Sequence, residues 1–308
     1  MKHTKLVFFL GVVILSGVVL SFVYSIKFRL TDEEYVQQIA DEETDVLIDY
    51  HEYDEHKVRN ILVDRGHDRL FILLHGAPSS SAQWVPLVND TLMREKVDFL
   101  LIDRPGYGFS NFGKPILDIE KQAEIVHQIT SKYAQDYDQL LMLGTSYGGT
   151  VATRFMMDYP EYLDAGVLVA SSMAPGEERI YEISYAIEQL PWLFPDIVLM
   201  ANLEKMSHFI QLKKMVPFWK RIKNPIHFIH ATNDDLIYPE NVNYALDHLN
   251  PNIDVDTTWV EGGEHSLYST DRVLVFRELY AFVEKYKNTV PKSFARTGSN
   301  DHFLVEGN

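Results

Sequence analysis

The chain has no cysteine among its 308 residues. That removes disulfides, thiolate nucleophiles and cysteine-ligated zinc, and it leaves the redox compartment open. Positive charge is scarce: 28 Lys and Arg stand against 44 Asp and Glu, a net charge of −16. Such a surface repels nucleic acid and anionic membrane surfaces, so no nucleic-acid partner is expected. No Gly-rich phosphate loop is present, and His51 and His56 stand without further ligands near them. Neither a metal nor a cofactor is expected. Internal repeats are lacking, and nothing in the sequence sets an oligomeric state.

Long apolar runs are missing except for one. Residues 6–24 are uncharged and almost wholly apolar. At about 1.5 Å per residue this run nearly spans a bilayer core of roughly 30 Å. Lys2 and Lys5 precede it, and Lys27 and Arg29 follow, before Asp32-Glu33-Glu34. The flanking charge favours a membrane anchor with the rest of the chain outside the cytoplasm. The alternative is a cleaved signal peptide, ending near Ser21 or Ser25, that leaves a secreted or periplasmic protein. The chain then divides into a segment 1–30 (anchor or signal), an acidic spacer 31–44, a large domain 45–287 and a polar tail 288–308.

Within that domain, apolar strand-like stretches lie near 45–50, 57–63, 70–74, 98–102, 139–143, 165–170, 226–231 and 253–260. Helical stretches lie near 81–95, 117–135, 147–159, 240–248 and 271–287. Alternating strands and helices predict an α/β domain with a mostly parallel sheet.

The most informative residues are Gly144-Thr145-Ser146-Tyr147-Gly148-Gly149. An apolar strand runs into them and an apolar helix runs out. A Gly-x-Ser-x-Gly turn of this kind is a nucleophile elbow, which lifts the serine hydroxyl clear of the sheet. Ser146 is therefore the candidate nucleophile. It needs a base, and the base needs an orienting acid. Such elbows take the chain order Ser, acid, His. His265, in the Gly-rich loop Glu261-Gly262-Gly263-Glu264-His265-Ser266 after a terminal strand, is the candidate base. Asp234 and Asp235, just after the strand at 226–231, are both candidate acids, with Asp234 preferred. An oxyanion hole needs backbone N–H donors. Tyr147 supplies one, and Ala77 in His75-Gly76-Ala77-Pro78 supplies the other, with His75 holding the loop by hydrogen bonds.

Together, His75-Gly76-Ala77-Pro78, Asp103-Arg104-Pro105-Gly106-Tyr107-Gly108-Phe109-Ser110, the elbow, the Asp234 region and Gly263-Glu264-His265 resemble the α/β-hydrolase superfamily, over about residues 45–287. The resemblance implies an eight-stranded, mostly parallel sheet flanked by helices, with the triad on loops at its C-terminal edge. It also implies a small helical cap inserted at about 172–224. Relatives that open epoxides or displace halide carry Asp at the elbow; Ser146 argues against both. The implied activity is serine hydrolysis of a small, largely apolar ester or related acyl bond. Carbon–carbon bond hydrolysis, amide hydrolysis and acyl transfer use the same triad and stay open. A degenerate, membrane-tethered binding module is the non-enzymatic alternative. Tyr181, Tyr185, Trp192, Leu193, Phe194, Met200, Met206, Phe209 and Trp219 are the residues from which a pocket lining would be drawn.

Overall fold

A computed structural model describes residues 29–39, 41 and 43–287. The run 6–24 and the tail 288–308 lie outside the described residues, and so do the readings of them as anchor, signal or tail. Among the described residues, no helix is long and apolar enough to cross a membrane.

Eight strands form one sheet: β1 (Asp45–Tyr53), β2 (His56–Asp64), β3 (Arg69–Leu74), β4 (Asp98–Ile102), β5 (Gln139–Thr145), β6 (Ala165–Val169), β7 (Ile226–Ala231) and β8 (Val255–Val260). Their order is β1-β2-β4-β3-β5-β6-β7-β8. β2 is antiparallel to β1 and β4, and every other pair is parallel. This is the mostly parallel eight-stranded sheet that the motifs imply.

The central strands are buried at every residue, because helices cover both faces and leave no side for polar residues. Alternation along β3 feeds two cores. Leu70, Ile72 and Leu74 pack with Val126 of the helix Ile119–Ser131 and Phe155 of the helix Tyr147–Asp158. Phe71 and Leu73 point the other way, to Leu279 and Phe282 of the helix Arg272–Lys285. The parallel strands end at a common edge, and the loops there carry the candidate site.

Three local departures from the sequence reading have physical causes. The helix expected over 81–95 is reduced to two short turns, Ser81–Trp84 and Val85–Val88. Asp90 ends it, because its Oδ1 accepts from the backbone N–H groups of Leu92 and Met93. β1 extends past 50 to pair with β2 in a tight hairpin, turned by Asp54 at φ +51°. The acidic stretch 31–44 is not a free spacer throughout. Its helix Asp32–Ile39 buries Tyr35 and Ile39. Asp32 pairs with Arg59 at 2.8 Å, and the Tyr35 hydroxyl lies 2.6 Å from Ser81 Oγ.

Between β6 and β7 the insert forms the helices Glu182–Gln189 and Asp196–Met215, joined through the turn Pro191–Leu193. Its last part belongs to the core rather than to a cap: Leu212, Met215, Trp219 and Ile222 are buried with the Leu70 cluster.

Candidate active site

Ser146 sits between β5 and the helix Tyr147–Asp158 at φ +50°, ψ −121°. That conformation costs a non-glycine residue energy, and the packing around it enforces it. A Cβ on Gly148 would lie 2.3 Å from Leu74 O, and one on Gly144 would lie 2.6 Å from Gly148 O. Only glycine lets the elbow close this tightly on β3.

His265, on the loop after β8, places Nε2 3.1 Å from Ser146 Oγ. Its Nδ1 lies 2.8 Å from Asp234 Oδ2. A carboxylate only accepts, so Nδ1 carries the proton and Nε2 is left to accept from the serine hydroxyl. Asp234 is buried at 2% exposure, and its Oδ1 accepts from the N–H groups of Leu236 and Ile237. The turn after β7 thus clamps one carboxylate oxygen and presents the other to the imidazole. Asp235 faces the surface and pairs with Arg179 at 2.7 Å. Of the two candidate acids, only Asp234 comes within reach of His265. The histidines at 227 and 230 lie in β7; His230 Nε2 bonds Ile237 O at 3.0 Å.

The loop His75-Gly76-Ala77 is held from behind by a fully buried arginine. Arg104 donates from Nε to His75 O at 2.8 Å and from Nη2 to Gly76 O at 3.3 Å. The Arg104 N–H donates to His75 Nε2 at 2.9 Å. His75 Nδ1 therefore carries the proton, and it donates to Gly76 O at 2.7 Å. Burial, with Arg104 beside it, holds the His75 imidazole neutral and its pKa well below the usual histidine value. These bonds engage both carbonyls. The N–H groups of Ala77 and Tyr147 donate to no acceptor among the described residues, and Gly76 lies against the elbow.

Glu204, in the helix Asp196–Met215, closes the arrangement. Its carboxylate takes Arg104 Nη1 at 2.6 Å and Nη2 at 3.2 Å, and Tyr107 donates to it at 2.7 Å. Sequence reasoning missed Glu204 and named Arg104 only as part of a resembling motif. Nothing marks a glutamate in an otherwise ordinary cap helix as buried.

Two cavities meet at Ser146. One, of about 250 Å³, lies under the cap between Ala77, Ile187, Val198, Leu236 and Ile237. Its two carboxylates are already paired, Glu204 with Arg104 and Glu178 with Lys205 at 2.9 Å. Of the nine cap residues proposed for a lining, only Tyr181 is in its wall. Met200 instead packs with Tyr107 and Ile197, Trp219 joins the core, and Trp192 is 77% exposed. The second cavity, of about 450 Å³, holds His265 in its wall with Ser79, Gln83, Ser266 and Arg272. Among the described residues, no carboxylate lines it. Among the described residues, no group of three or more His, Asp or Glu is placed to hold a metal ion.

Comparison with known proteins bears on the fold and family. The family model described as alpha/beta hydrolase fold matches residues 69–218. A proline iminopeptidase of Saccharolobus solfataricus is 28% identical over 44% of this chain and 43% of its own length. The monoacylglycerol lipase ABHD6 of Homo sapiens is 26% identical over 50% of this chain and 46% of its own length. The chain thus spans less than half the length of these curated relatives. Among solved structures, a bacterial membrane phospholipase A superposes with a TM-score of 0.61 at 17% identity, covering 94% of this chain and 100% of that one. That likeness is one of fold.

Proposed function

The chain belongs to the α/β-hydrolase superfamily, and on that premise we propose that it is a serine hydrolase of a small, largely apolar ester or related acyl bond. One observation carries the reading: Ser146 Oγ, His265 and Asp234 stand in a continuous hydrogen-bonded line where two cavities meet.

In this reading Ser146 Oγ attacks the acyl carbon while His265 Nε2 takes its proton. Asp234 keeps the imidazole in the working tautomer and stabilises the imidazolium. The oxygen of the tetrahedral intermediate is received by the N–H groups of Ala77 and Tyr147. His265 then gives its proton to the leaving group, which departs as an alcohol. Water repeats the sequence on the acyl-enzyme and restores the serine. The leaving group must lie beside the imidazole that protonates it. His265 is in the wall of the second cavity and not of the first. The acyl chain therefore occupies the cavity under the cap, and the alcohol occupies the other.

The cap cavity also bears on the bond cleaved. Substrates with a free amino terminus bring an ammonium, which needs an unpaired carboxylate. Both carboxylates in that wall are already paired with cations. This favours an ester of an apolar acid over an aminopeptidase substrate. We also infer membrane attachment through residues 6–24, with the hydrolase outside the cytoplasm, on the length and flanking charge of that run.

A fluorophosphonate probe should label the chain at Ser146, and p-nitrophenyl esters of increasing chain length should be cleaved up to the length that the cap cavity holds. Labelling at another serine would refute the proposal. Retention in membranes after carbonate washing tests the anchor.

A further inference from the structure

Most of the large apolar side chains that remain exposed among the described residues lie in the cap. Isolated exposed leucines are ordinary on a protein surface, but concentration on one element is not. On the first cap helix Ile183 is 54% exposed, and Leu190, just past its end, is 43% exposed. On the second cap helix Leu203 at 47% and Ile210 at 56% stand seven positions apart and so share one side. The turn between the two helices carries Trp192 and Leu193 outward. Tyr181 is 41% exposed and also lines the cap cavity, so the cavity opens beside this apolar face.

The described chain begins next to the same element. The Arg29 guanidinium lies 5.0 Å from the Phe109 ring centroid and 4.5 Å from that of Phe112. Phe112 packs with Tyr107, Ile197 and Met200, the last two on the second cap helix. The apolar run 6–24 therefore ends five residue steps before a point at the base of the cap. At no more than ~3.6 Å per residue, those steps reach at most about 18 Å. Any bilayer that takes up residues 6–24 lies within about 18 Å of the Arg29 backbone, whose side chain reaches the base of the cap through Phe112.

We propose that the exposed apolar face of the cap rests on a lipid surface, as a second attachment beside residues 6–24, so that the acyl chain of the substrate passes from the bilayer into the cap cavity. The headgroup region accepts aromatic and aliphatic side chains lying in its plane, with no anionic lipid required. The net charge of −16 argues for a neutral surface over an anionic one. The orientation rests on the anchor reading of residues 6–24, and the route of the acyl chain rests on Ser146 as nucleophile.

A chain without cysteine makes the test clean, because one introduced thiol is the only one to label. Full-length Trp192→Cys and Leu92→Cys are each labelled with an environment-sensitive fluorophore and placed in phosphatidylcholine vesicles, with and without a nitroxide on the acyl chains. Leu92 is also exposed, in the turn that leads into β4 at the opposite edge of the sheet. Most of the emission at position 192 should be quenched by the lipid nitroxide, and little of that at 92. In parallel, Trp192→Asp with Leu203→Asp should leave cleavage of a soluble short-chain p-nitrophenyl ester within about twofold, and lower cleavage of a long-chain ester in vesicles roughly tenfold. Equal quenching at both positions, or quenching at neither, overturns the proposal. Quenching at neither is the result if residues 6–24 or a second copy cover the face. Loss of soluble-ester cleavage in the unsubstituted protein would refute the nucleophile instead, and the quenching would still report the surface. Carbonate washing reads the anchor separately.

Discussion

Glu204 of the cap and Arg104 behind the loop His75-Gly76-Ala77 form a bidentate ion pair, 2.6 Å and 3.2 Å, with both side chains out of solvent. The cap therefore does more than cover the cavity. Through the same guanidinium it bears on the carbonyls of His75 and Gly76.

Removing the carboxylate strands a buried cation. Glu204→Ala should lower unfolding free energy by about 3–5 kcal/mol, read from urea titration. Glu204→Gln keeps the shape and should cost less. In both, kcat should fall more than KM rises, because the disturbance reaches the loop that carries Ala77. A stability loss under about 1 kcal/mol would mean that the pair is dispensable.

Ser146→Ala should abolish fluorophosphonate labelling and lower kcat by roughly 10⁴-fold or more, and His265→Ala should be nearly as damaging, since the two act as a unit. Additive effects in the double variant would speak against one mechanism shared by both residues.

Asp234 and Asp235 offer an internal comparison. Asp234→Asn presents an amide to His265 Nδ1 and favours the wrong tautomer, so kcat should fall about 10⁴-fold. Asp235→Asn disturbs only an exposed pair with Arg179 and should stay within a few-fold of the parent. Steady-state rates on one p-nitrophenyl ester decide between them.

Stability should decline in mild acid. Burial lowers the pKa of His75, His127, His208, His227 and His230 below the ordinary 6.5. Between their folded values and 6.5, the unfolded chain binds more protons than the native one. The stabilisation is thus complete above 6.5 and is lost as pH falls below it. Melting temperature should drop between pH 7.5 and 5.5, above the range where carboxylates titrate. A flat profile would contradict the buried, neutral state of these rings.

The amino-terminal helix sets where the chain tolerates trimming. A form starting at residue 29 keeps Tyr35, Ile39 and the Asp32–Arg59 pair and should fold and work. One starting at 45 loses them, exposes the core beneath, and should be less stable by roughly 3 kcal/mol or more. Equal melting temperatures for the two would show that the helix contributes nothing.

What the sequence disclosed follows from how local each signal is. The elbow is legible because Gly144, Ser146 and Gly148 encode a steric requirement within five positions. The strands β3, β5 and β7 are legible because burial on both faces writes a continuous apolar run. His265 announces itself as an imidazole on a Gly-rich loop after the last strand. Sequence position preferred Asp234 but left Asp235 open, since adjacent aspartates differ chiefly in which way the backbone faces them; the turn after β7 brings Asp234 alone to His265. The Arg104–Glu204 pair was illegible because its members are 100 positions apart and each alone looks like a surface charge. The docking of the acidic helix Asp32–Ile39 was hidden for a similar reason: Tyr35 and Ile39 are two apolar residues in a charged segment, and their partners lie elsewhere in the fold.

Ser146 occupies the position from which a serine ordinarily folds its hydroxyl back onto the first turn of a helix. Here it makes no such bond, and its backbone sends the hydroxyl to His265 instead. The helix Tyr147–Asp158 is left with an unanswered demand for negative charge at its start. Under the proposed mechanism, the group that answers it exists only while a substrate is halfway through reaction. The reacting oxygen is then the missing cap of the helix. On this view a substitution that supplied a permanent cap there would steady the resting protein and slow its turnover together.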